Sequence, residues 1–137
     1  MAEERVPLVS IVIPVYRGAN YMREAIDSAL GQSWPRCEVI VVNGGETERI
    51  ALSYGDRIRY IAKENGGVST ALNEGIRQMK GEYFSWLSHD DLYLPDKIAH
   101  QMACLQGCDT SKTIVFGDYA NFTDEAMVEE NVVGKRY

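Results

Sequence analysis

A nearly unbroken run of apolar and β-branched residues at positions 8–15 constrains the fold of this chain more than any other segment. Such a run is typical of a parallel strand that is covered on both faces. The residues after it repeat apolar side chains at helical spacing, with Asn20 able to cap the start of a helix and Gly31 able to end it. The apolar stripe of this predicted helix consists of Met22, Ile26, Ala29 and Leu30.

Strand and helix patterns continue to alternate along the chain. Further strands are predicted at residues 38–42, 58–61, 83–87 and 114–116. Helical stripes lie between them, on Val68, Ala71, Leu72, Ile76 and Met79, and on Ile98, Met102 and Leu105 after Pro95. This order predicts one α/β domain over residues 1–137, with a mostly parallel sheet, flanking helices and right-handed crossovers. Residues 118–137 are polar, and we expect a hairpin or a frayed tail there.

Composition excludes several classes of protein. With 45% hydrophobic and 25% charged residues in a chain of 137, a single folded core is expected and disorder is not. The net charge of −6 argues against a nucleic-acid-binding surface, because phosphate backbones attract lysine and arginine. Binding of an anionic nucleotide would therefore need a local source of positive potential, such as helix N-termini, loop amides or a metal ion.

The three cysteines and the N-terminus indicate an intracellular chain. The cysteines do not form a Cys-x-x-Cys pair and have no nearby histidine set, so we expect reduced thiols and no zinc site. No segment approaches the roughly 20 apolar residues of a membrane span, and the charged N-terminus lacks a secretory apolar region. We expect a cytoplasmic location, free or peripheral to the inner face of the membrane.

Ligands of open parallel sheets bind at the carboxyl ends of the strands, which directs attention to the residues found there. The sharpest group is Ser88-His89-Asp90-Asp91. Adjacent carboxylates repel each other unless a cation is near, and Mg²⁺ typically takes one or two carboxylates together with phosphate oxygens. The alternative is a solvated turn that caps the next helix.

Two other strand ends carry weaker signals. Tyr16, after Pro14 and Val15, can stack on a base or pack over the sheet edge. Gly66 and Gly67 open a helix whose N-terminus favours negative charge, although a plain turn capped by Ser69 or Thr70 explains the same residues. Within that helix, Gly75 is explained by close packing of the helix on the sheet, without any ligand.

Taken in order, these segments resemble the inverting glycosyltransferases of family 2, which have the GT-A fold with its Rossmann-like nucleotide-binding domain. The resemblance extends over residues 9–16, 21–33, 64–69, 71–76, 80–83 and 88–97. It implies that Tyr16 stacks on the base and that Asn43 recognises the edge of the base. Asp90 and Asp91 would hold Mg²⁺ or Mn²⁺ on the donor diphosphate. Pro14, Val15, Gly66, Gly67, Ser88 and His89 would complete the nucleotide-sugar site.

The chain departs from the family pattern at three positions. Asn43-Gly44 stands where the family usually has two aspartates, Ser88 stands at the first position of the acidic motif, and Leu72 stands where an arginine is frequent. Family members are usually longer, and their later half supplies the acceptor site and a carboxylate general base. We therefore assign no catalytic residue within this chain and expect the general base downstream. The chain is interpreted as the nucleotide-sugar-binding half, either truncated or naturally short.

Three hypotheses follow. The first is the donor-binding domain of a polysaccharide-forming glycosyltransferase, which binds a UDP-sugar with a divalent metal for inverting transfer to a sugar, lipid-linked or protein acceptor. The second is a non-catalytic nucleotide-binding or regulatory module of the same fold, and the third is a nucleotidyltransferase, whose basic glycine-rich loop is missing. We also expect a homodimer or a self-associating surface, because half of an α/β enzyme exposes apolar surface.

Overall fold

A computed structural model describes residues 6–15, 22–43, 48–64, 67–88, 91–105, 121–122 and 127–128. The predicted site residues Tyr16, Gly66, His89 and Asp90 lie outside these ranges, as does the strand predicted at residues 114–116. The chain forms two compact units, Met1–Lys97 and Ile98–Tyr137.

The first unit contains a parallel sheet of four strands. They are β1 (Val9–Val15), β2 (Cys37–Asn43), β3 (Arg59–Ala62) and β4 (Tyr83–Trp86), arranged in the order β3-β2-β1-β4. All neighbouring strands in this sheet run parallel. The prediction of a mostly parallel α/β sheet is confirmed. Strands β2 and β3 are added on one side of β1, whereas β4 is added on its other side. Ligands of open parallel sheets bind at the carboxyl ends of the strands, beside such a change in strand order.

The described residues of both units contain four helices. They are α1 (Met22–Leu30), α2 (Glu48–Leu52), α3 (Val68–Gln78) and α4 (Lys97–Leu105), with a short 3₁₀ turn at Gly55–Arg57. Helices α1, α3 and α4 correspond to the predicted stripes. Helix α2 has only five residues, which is too short for a helical period to be visible in the sequence.

Helix α3 packs on one face of the sheet. The partly buried Ala71 and Leu72 of α3, with Met79 directly after the helix, cover a buried cluster of Val12, Ile40, Val42 and Ile61 from the three neighbouring strands. Gly75 is buried at the centre of this contact, where an added Cβ would lie 2.5 Å from Cγ1 of Val12. The predicted close approach of helix and sheet at Gly75 is therefore confirmed.

Side chains at alternate positions of β1 and β2 point to the opposite face, because successive residues of a strand alternate in direction. Ile11, Ile13, Val39 and Val41 are at most 2% exposed. Helix α1 contacts both strands and buries its own apolar residues, Met22, Ala25, Ile26 and Ala29. Both faces of β1 are thus covered, as its continuous apolar run predicts.

Two predicted details are wrong. Val68 and Ile76 of the α3 stripe are 43% and 42% exposed, because the helix places Ala71, Leu72 and Gly75 against the sheet instead. Pro95 was expected in the first turn of α4, but that helix begins at Lys97. Pro95 lies in the preceding turn, in which the Lys97 amide donates to the Leu94 carbonyl at 3.1 Å.

Little of the second unit is described. It contains most of α4, in which Ile98 and Met102 are buried, and a short antiparallel pair, β5 (Asn121–Phe122) with β6 (Met127–Val128). None of the helices within the described ranges has the length and apolar character needed to cross a membrane.

Candidate functional site

The carboxyl ends of three strands meet at one edge of the sheet, which we call the carboxyl edge. Val15 of β1 is in register with Asn43 of β2, and Asn43 is in register with Ala62 of β3. Pro14, Val15 and Asn43 are all buried, and Asn43 is only 3% exposed. The first two predicted strand ends therefore lie side by side.

The fourth strand brings the acidic segment to the same edge. Trp86 pairs with Val12, and the Leu87 amide donates to the Val12 carbonyl at 3.0 Å. Ser88 therefore lies near the level of Pro14, beside the end of β1. The topology brings Pro14, Asn43 and Ser88 to one side of the sheet although 74 positions separate the first from the last.

The main chain of Asn43 is fixed by the neighbouring strand. Its carbonyl accepts hydrogen bonds from the Lys63 amide at 3.0 Å and from the Tyr60 hydroxyl at 3.2 Å. Burial, and then the nearby Glu48 carboxylate, raise the pKa of Tyr60, so the hydroxyl remains a donor at neutral pH. The end of β2 is thereby held in a defined place at the carboxyl edge.

Gly67 opens α3 at the same edge, since α3 follows the carboxyl end of β3. Its φ of 94° is a left-handed conformation that favours glycine, and space beside its Cα is open. The cap is Gly67 itself, without a side-chain hydrogen bond, rather than Ser69 or Thr70. The Thr70 hydroxyl instead donates to the Gly67 carbonyl at 2.9 Å.

Ser88 and Asp91 are the two described residues of the acidic segment, residues 88–91. The Asp91 amide donates to the Ser88 carbonyl at 3.1 Å, and Asp91 is exposed. Carboxylate and hydroxyl oxygens suit hard cations such as Mg²⁺ and Mn²⁺. The described residues do not include a group of three or more histidine, cysteine or acidic side chains that could hold a metal, and Asp90 lies outside them.

Tyr93 anchors the chain that follows the acidic segment. Its hydroxyl donates to the Trp86 carbonyl at 2.6 Å and lies 2.6 Å from the Ser85 hydroxyl. A tyrosine has a single hydroxyl proton, so Ser85 must be the donor in the second bond. The Tyr93 amide donates to the Ser28 hydroxyl of α1 at 3.1 Å. Tyr93 thus joins the end of β4 to helix α1.

The environment of Tyr93 keeps its hydroxyl protonated. Burial raises the pKa of Tyr93 to about 12, against the smaller opposing effect of the Ser85 hydrogen bond. The Lys97 ammonium lies 4.6 Å from the centre of the Tyr93 ring, and burial lowers the pKa of this lysine. The Tyr93 hydroxyl therefore donates to Trp86 throughout the neutral range.

The residues just after α1 also hold the two residues that follow Tyr93. The Gln32 side-chain amide donates to the Leu94 carbonyl at 2.8 Å, and the Ser33 amide donates to the Pro95 carbonyl at 2.8 Å. Leu94 and Pro95 are thus hydrogen-bonded, at successive positions, to the chain that directly follows α1.

A second polar cluster lies at the amino ends of the strands, opposite the carboxyl edge. One oxygen of Glu38 accepts from the Ser10 hydroxyl at 2.5 Å and from the amides of Lys80 and Gly81 at 2.6 and 3.1 Å. Its other oxygen lies 3.2 Å from the Arg59 guanidinium, which also donates to the Gln78 carbonyl at 2.7 Å. This cluster ties together β1, β2, β3 and the entry to β4.

The sequence analysis predicted neither the hydrogen bonds of Tyr93 nor the polar cluster around Glu38. The only local signal for Tyr93 is an aromatic residue between Leu92 and Leu94, two positions after the acidic pair, and nothing in the sequence connects it to Ser28, 65 positions earlier. Leu72, which stands where an arginine is frequent in the family, packs on the core cluster.

Comparison with known proteins extends these observations. The family model described as "Glycosyl transferase family 2" matches residues 10–125. An uncharacterized glycosyltransferase of Rickettsia felis is 64% identical over 118 residues, which are 82% of this chain and 20% of that protein. The chain therefore spans about a fifth of the length of this relative.

Solved structures show the same fold. A mannosyltransferase from Pyrobaculum calidifontis, in complex with GDP-Man and Mn²⁺, superimposes with a TM-score of 0.65 at 25% identity, over 77% of this chain and 34% of that one. S. aureus TarS 1-349, in complex with UDP-GlcNAc, superimposes with a TM-score of 0.64 at 23% identity, over 72% of this chain and 31% of that one. The parallel sheet, the acidic segment after β4 and the family match over residues 10–125 lead to one assignment: this chain belongs to glycosyltransferase family 2 and has the GT-A fold.

Proposed function

We propose that this chain is the donor-binding part of an inverting glycosyltransferase and that it binds a nucleotide-diphosphate sugar, with UDP as the nucleotide, together with Mg²⁺ or Mn²⁺. The observation that carries the proposal is the register of the carboxyl edge. It places Val15, Asn43 and Ser88 at adjacent strand ends, with the exposed Asp91 three residues further on.

Each part of the donor has a candidate contact at this edge. Tyr16 directly follows Val15 and would stack on the base, a contact worth about 1–3 kcal/mol. Asn43 would bond the edge of the base. The N-terminus of α3 at Gly67 favours a negative charge such as that of the diphosphate. Gly66, Ser88 and His89 would complete the nucleotide-sugar site.

Asp90 and Asp91 would hold the divalent ion, because their oxygens match its preference and because an acidic chain needs a cation beside a diphosphate. When bound, such an ion neutralises the charge that develops on the departing nucleoside diphosphate. The related mannosyltransferase structure contains Mn²⁺ with GDP-Man, which supports a metal on this fold. The acceptor would be a sugar, a lipid-linked saccharide or a protein.

The proposal is tested by calorimetric titration of UDP in Mn²⁺ and again in chelator. We expect tighter binding with Mn²⁺ and loss of that gain in Asp90→Asn. Tyr16→Ala should weaken binding in both titrations, because stacking does not require the metal. Equal affinities in the two titrations of the unmodified chain would overturn the assignment of the metal site.

A second candidate is a non-catalytic nucleotide-binding or regulatory module of the same fold. It is favoured by Asn43 and Ser88, which replace acidic residues of the family pattern with neutral ones. Hydrolysis of a UDP-sugar distinguishes the two proposals, since a donor-binding part of an enzyme should release UDP slowly in Mn²⁺. Binding without any release would favour the module.

A further inference from the structure

The last carbonyl of β2 is held from two directions by the neighbouring strand. The Asn43 carbonyl accepts a hydrogen bond from the amide of Lys63, which directly follows β3, at 3.0 Å, and from the hydroxyl of Tyr60 at 3.2 Å. The pairing of β3 with β2 ends at Ala62, which is in register with Asn43. Tyr60 lies two positions earlier on β3, so its side chain reaches along the sheet and adds a bond that the strand pairing does not supply.

These two bonds restrict the direction in which the Asn43 side chain leaves the main chain. A peptide group is planar, so a carbonyl held by two donors limits rotation about the bond that joins it to the Cα atom of its own residue. On the other side of β2, Asn43 is in register with Val15 of β1. The Cα–Cβ direction of Asn43 is therefore set by both neighbouring strands before any ligand binds.

Such a fixed direction has a consequence for recognition of a base. Hydrogen bonds from a side-chain amide need donor–acceptor distances close to about 2.9 Å and nearly linear geometry. A residue at a loose strand end must lose conformational freedom to reach that geometry, whereas a residue that is already held has lost it on folding. The bond from Tyr60 thus lowers the cost of ordering Asn43 on a ligand.

We propose that Tyr60 is a positioning residue for Asn43, and that its bond to the Asn43 carbonyl sets the place of the side-chain amide for the edge of a nucleotide base. This inference rests on the proposed binding of UDP, in which Asn43 bonds the base. Tyr60 acts through Asn43 and does not touch the nucleotide in this role. Its removal therefore affects recognition of the base and leaves binding of the diphosphate unchanged.

Tyr60→Phe is the variant that tests this role, because it removes the hydroxyl and keeps the ring. The Asn43 carbonyl retains its bond from the Lys63 amide. The substitution therefore leaves no buried acceptor without a donor, and the variant should fold.

The molecule provides a matched control in Tyr54. Its hydroxyl also bonds to another element of the fold, since it lies 2.8 Å from the Asp27 carboxylate and 3.3 Å from the Arg23 carbonyl, both in α1. Burial raises the pKa of both tyrosines, so both hydroxyls are protonated at neutral pH. Tyr54→Phe therefore removes a comparable hydroxyl whose partners belong to α1 rather than to β2.

The first readout is the base preference of the full chain, defined as the ratio of the dissociation constant of inorganic pyrophosphate to that of UDP. Both are measured by calorimetry in Mn²⁺, and pyrophosphate supplies the diphosphate without the base. One hydrogen bond contributes about two- to tenfold in an equilibrium constant. We expect Tyr60→Phe to reduce the base preference by about this factor through weaker binding of UDP alone, and Tyr54→Phe to change neither constant.

The second readout is a double-mutant cycle with Asn43→Ala, which removes the side-chain amide and keeps the main-chain carbonyl. If Tyr60 acts through Asn43, Tyr60→Phe should not weaken UDP further in the Asn43→Ala chain. A tyrosine that only stabilises the fold would lower the melting temperature and leave the base preference intact in both chains.

The third readout requires no ligand. Hydrogen exchange of the Lys63 amide reports on the end of β2, because this amide shares the Asn43 carbonyl with Tyr60. We expect faster exchange of the Lys63 amide in Tyr60→Phe and an unchanged rate in Tyr54→Phe.

The outcomes separate the positioning role from the proposed function. An unmodified chain that prefers UDP to pyrophosphate, with the same preference in Tyr60→Phe, would overturn the role of Tyr60 alone. Equal losses for UDP and pyrophosphate, additive losses in the cycle with Asn43→Ala, or unchanged exchange of the Lys63 amide would overturn it as well. An unmodified chain that binds UDP no more tightly than pyrophosphate would overturn the proposed recognition of the base and this inference together.

Discussion

Replacement of Glu38 by glutamine should destabilise the fold strongly, because this carboxylate gathers four donors at the amino ends of the strands. One oxygen accepts from Ser10 and from the amides of Lys80 and Gly81, and the other faces Arg59. Glutamine presents one acceptor and one NH₂ donor. If its oxygen keeps the first three partners, its NH₂ group points at the Arg59 guanidinium, which is also a donor.

The size of the effect follows from these contacts. Hydrogen bonds to a charged group contribute about 1.5–3 kcal/mol each, and neutral ones are roughly half as strong. The Arg59 side chain is 35% exposed, so its ion pair contributes at most about 1 kcal/mol. We therefore expect Glu38→Gln to lower the free energy of unfolding by about 2–3 kcal/mol at pH 7.

The loss should depend on pH in a defined direction. Burial by itself would raise the pKa of Glu38, but the hydrogen bonds from Ser10, the Lys80 amide and Arg59 hold it below its usual range. A carboxylate with a lowered pKa in the folded state stabilises the fold above the unfolded value of about 4.3, and this contribution is lost as the pH falls through the folded value. The difference between the unmodified chain and Glu38→Gln should therefore shrink on acidification.

Urea unfolding followed by circular dichroism, at several pH values from 7 down to about 3.5, measures the difference in unfolding free energy between the two chains. This range extends on both sides of the unfolded carboxyl pKa of about 4.3. Glu74→Gln is the control, since the hydrogen bonds of Glu74 to described residues are to Arg77 and Gln78 of its own helix, and the change should leave stability nearly unchanged. An equal loss from both variants, or a loss from Glu38→Gln that stays constant with pH, would refute the reasoning.

Three further predictions concern packing, association and reactivity. Gly75→Ala should destabilise the fold by about 1–3 kcal/mol in thermal melts, since the new methyl group would meet Val12 at 2.5 Å, and Val12→Ala in the same chain should recover part of the loss. Trp86 is 51% exposed, and we expect concentration-dependent association in sedimentation velocity that Trp86→Ser reduces. Burial raises the pKa of Cys37 to about 11, so peptide mapping after alkylation at pH 8 should show Cys37 modified more slowly than the exposed Cys104.

The boundaries of the main elements could be read from the sequence because each is a local pattern. The run at residues 8–15 became β1 (Val9–Val15), and the stripe from Met22 became α1 (Met22–Leu30). The close approach of helix and sheet at Gly75 could be predicted, because a glycine inside a helix lowers helix stability relative to alanine. Its missing side chain therefore has a reason if it makes room for a neighbouring residue. The position of α3 on the sheet then confirmed the explanation.

Placement of the candidate site was only partly predictable. The rule that ligands bind at carboxyl ends of strands selected Asn43 and Ser88, and the register brought both to one edge. The exposure of Val68 and Ile76 was not predicted, because the helical period tells which residues share a face but not how far the sheet extends beneath it.

The sequence by itself determined the order of strands and helices, the parallel sheet and the edge at which the chemistry-bearing residues lie. These follow from burial of apolar runs and from right-handed crossovers, which act locally and without knowledge of particular partners. Only the tertiary structure decided that Glu38 joins the amino ends of the strands and that Tyr93 joins the end of β4 to α1. A hydrogen bond depends on the positions of two atoms to within tenths of an ångström, and residues 65 positions apart, such as Ser28 and Tyr93, reach that precision only when the packed helices and strands fix both.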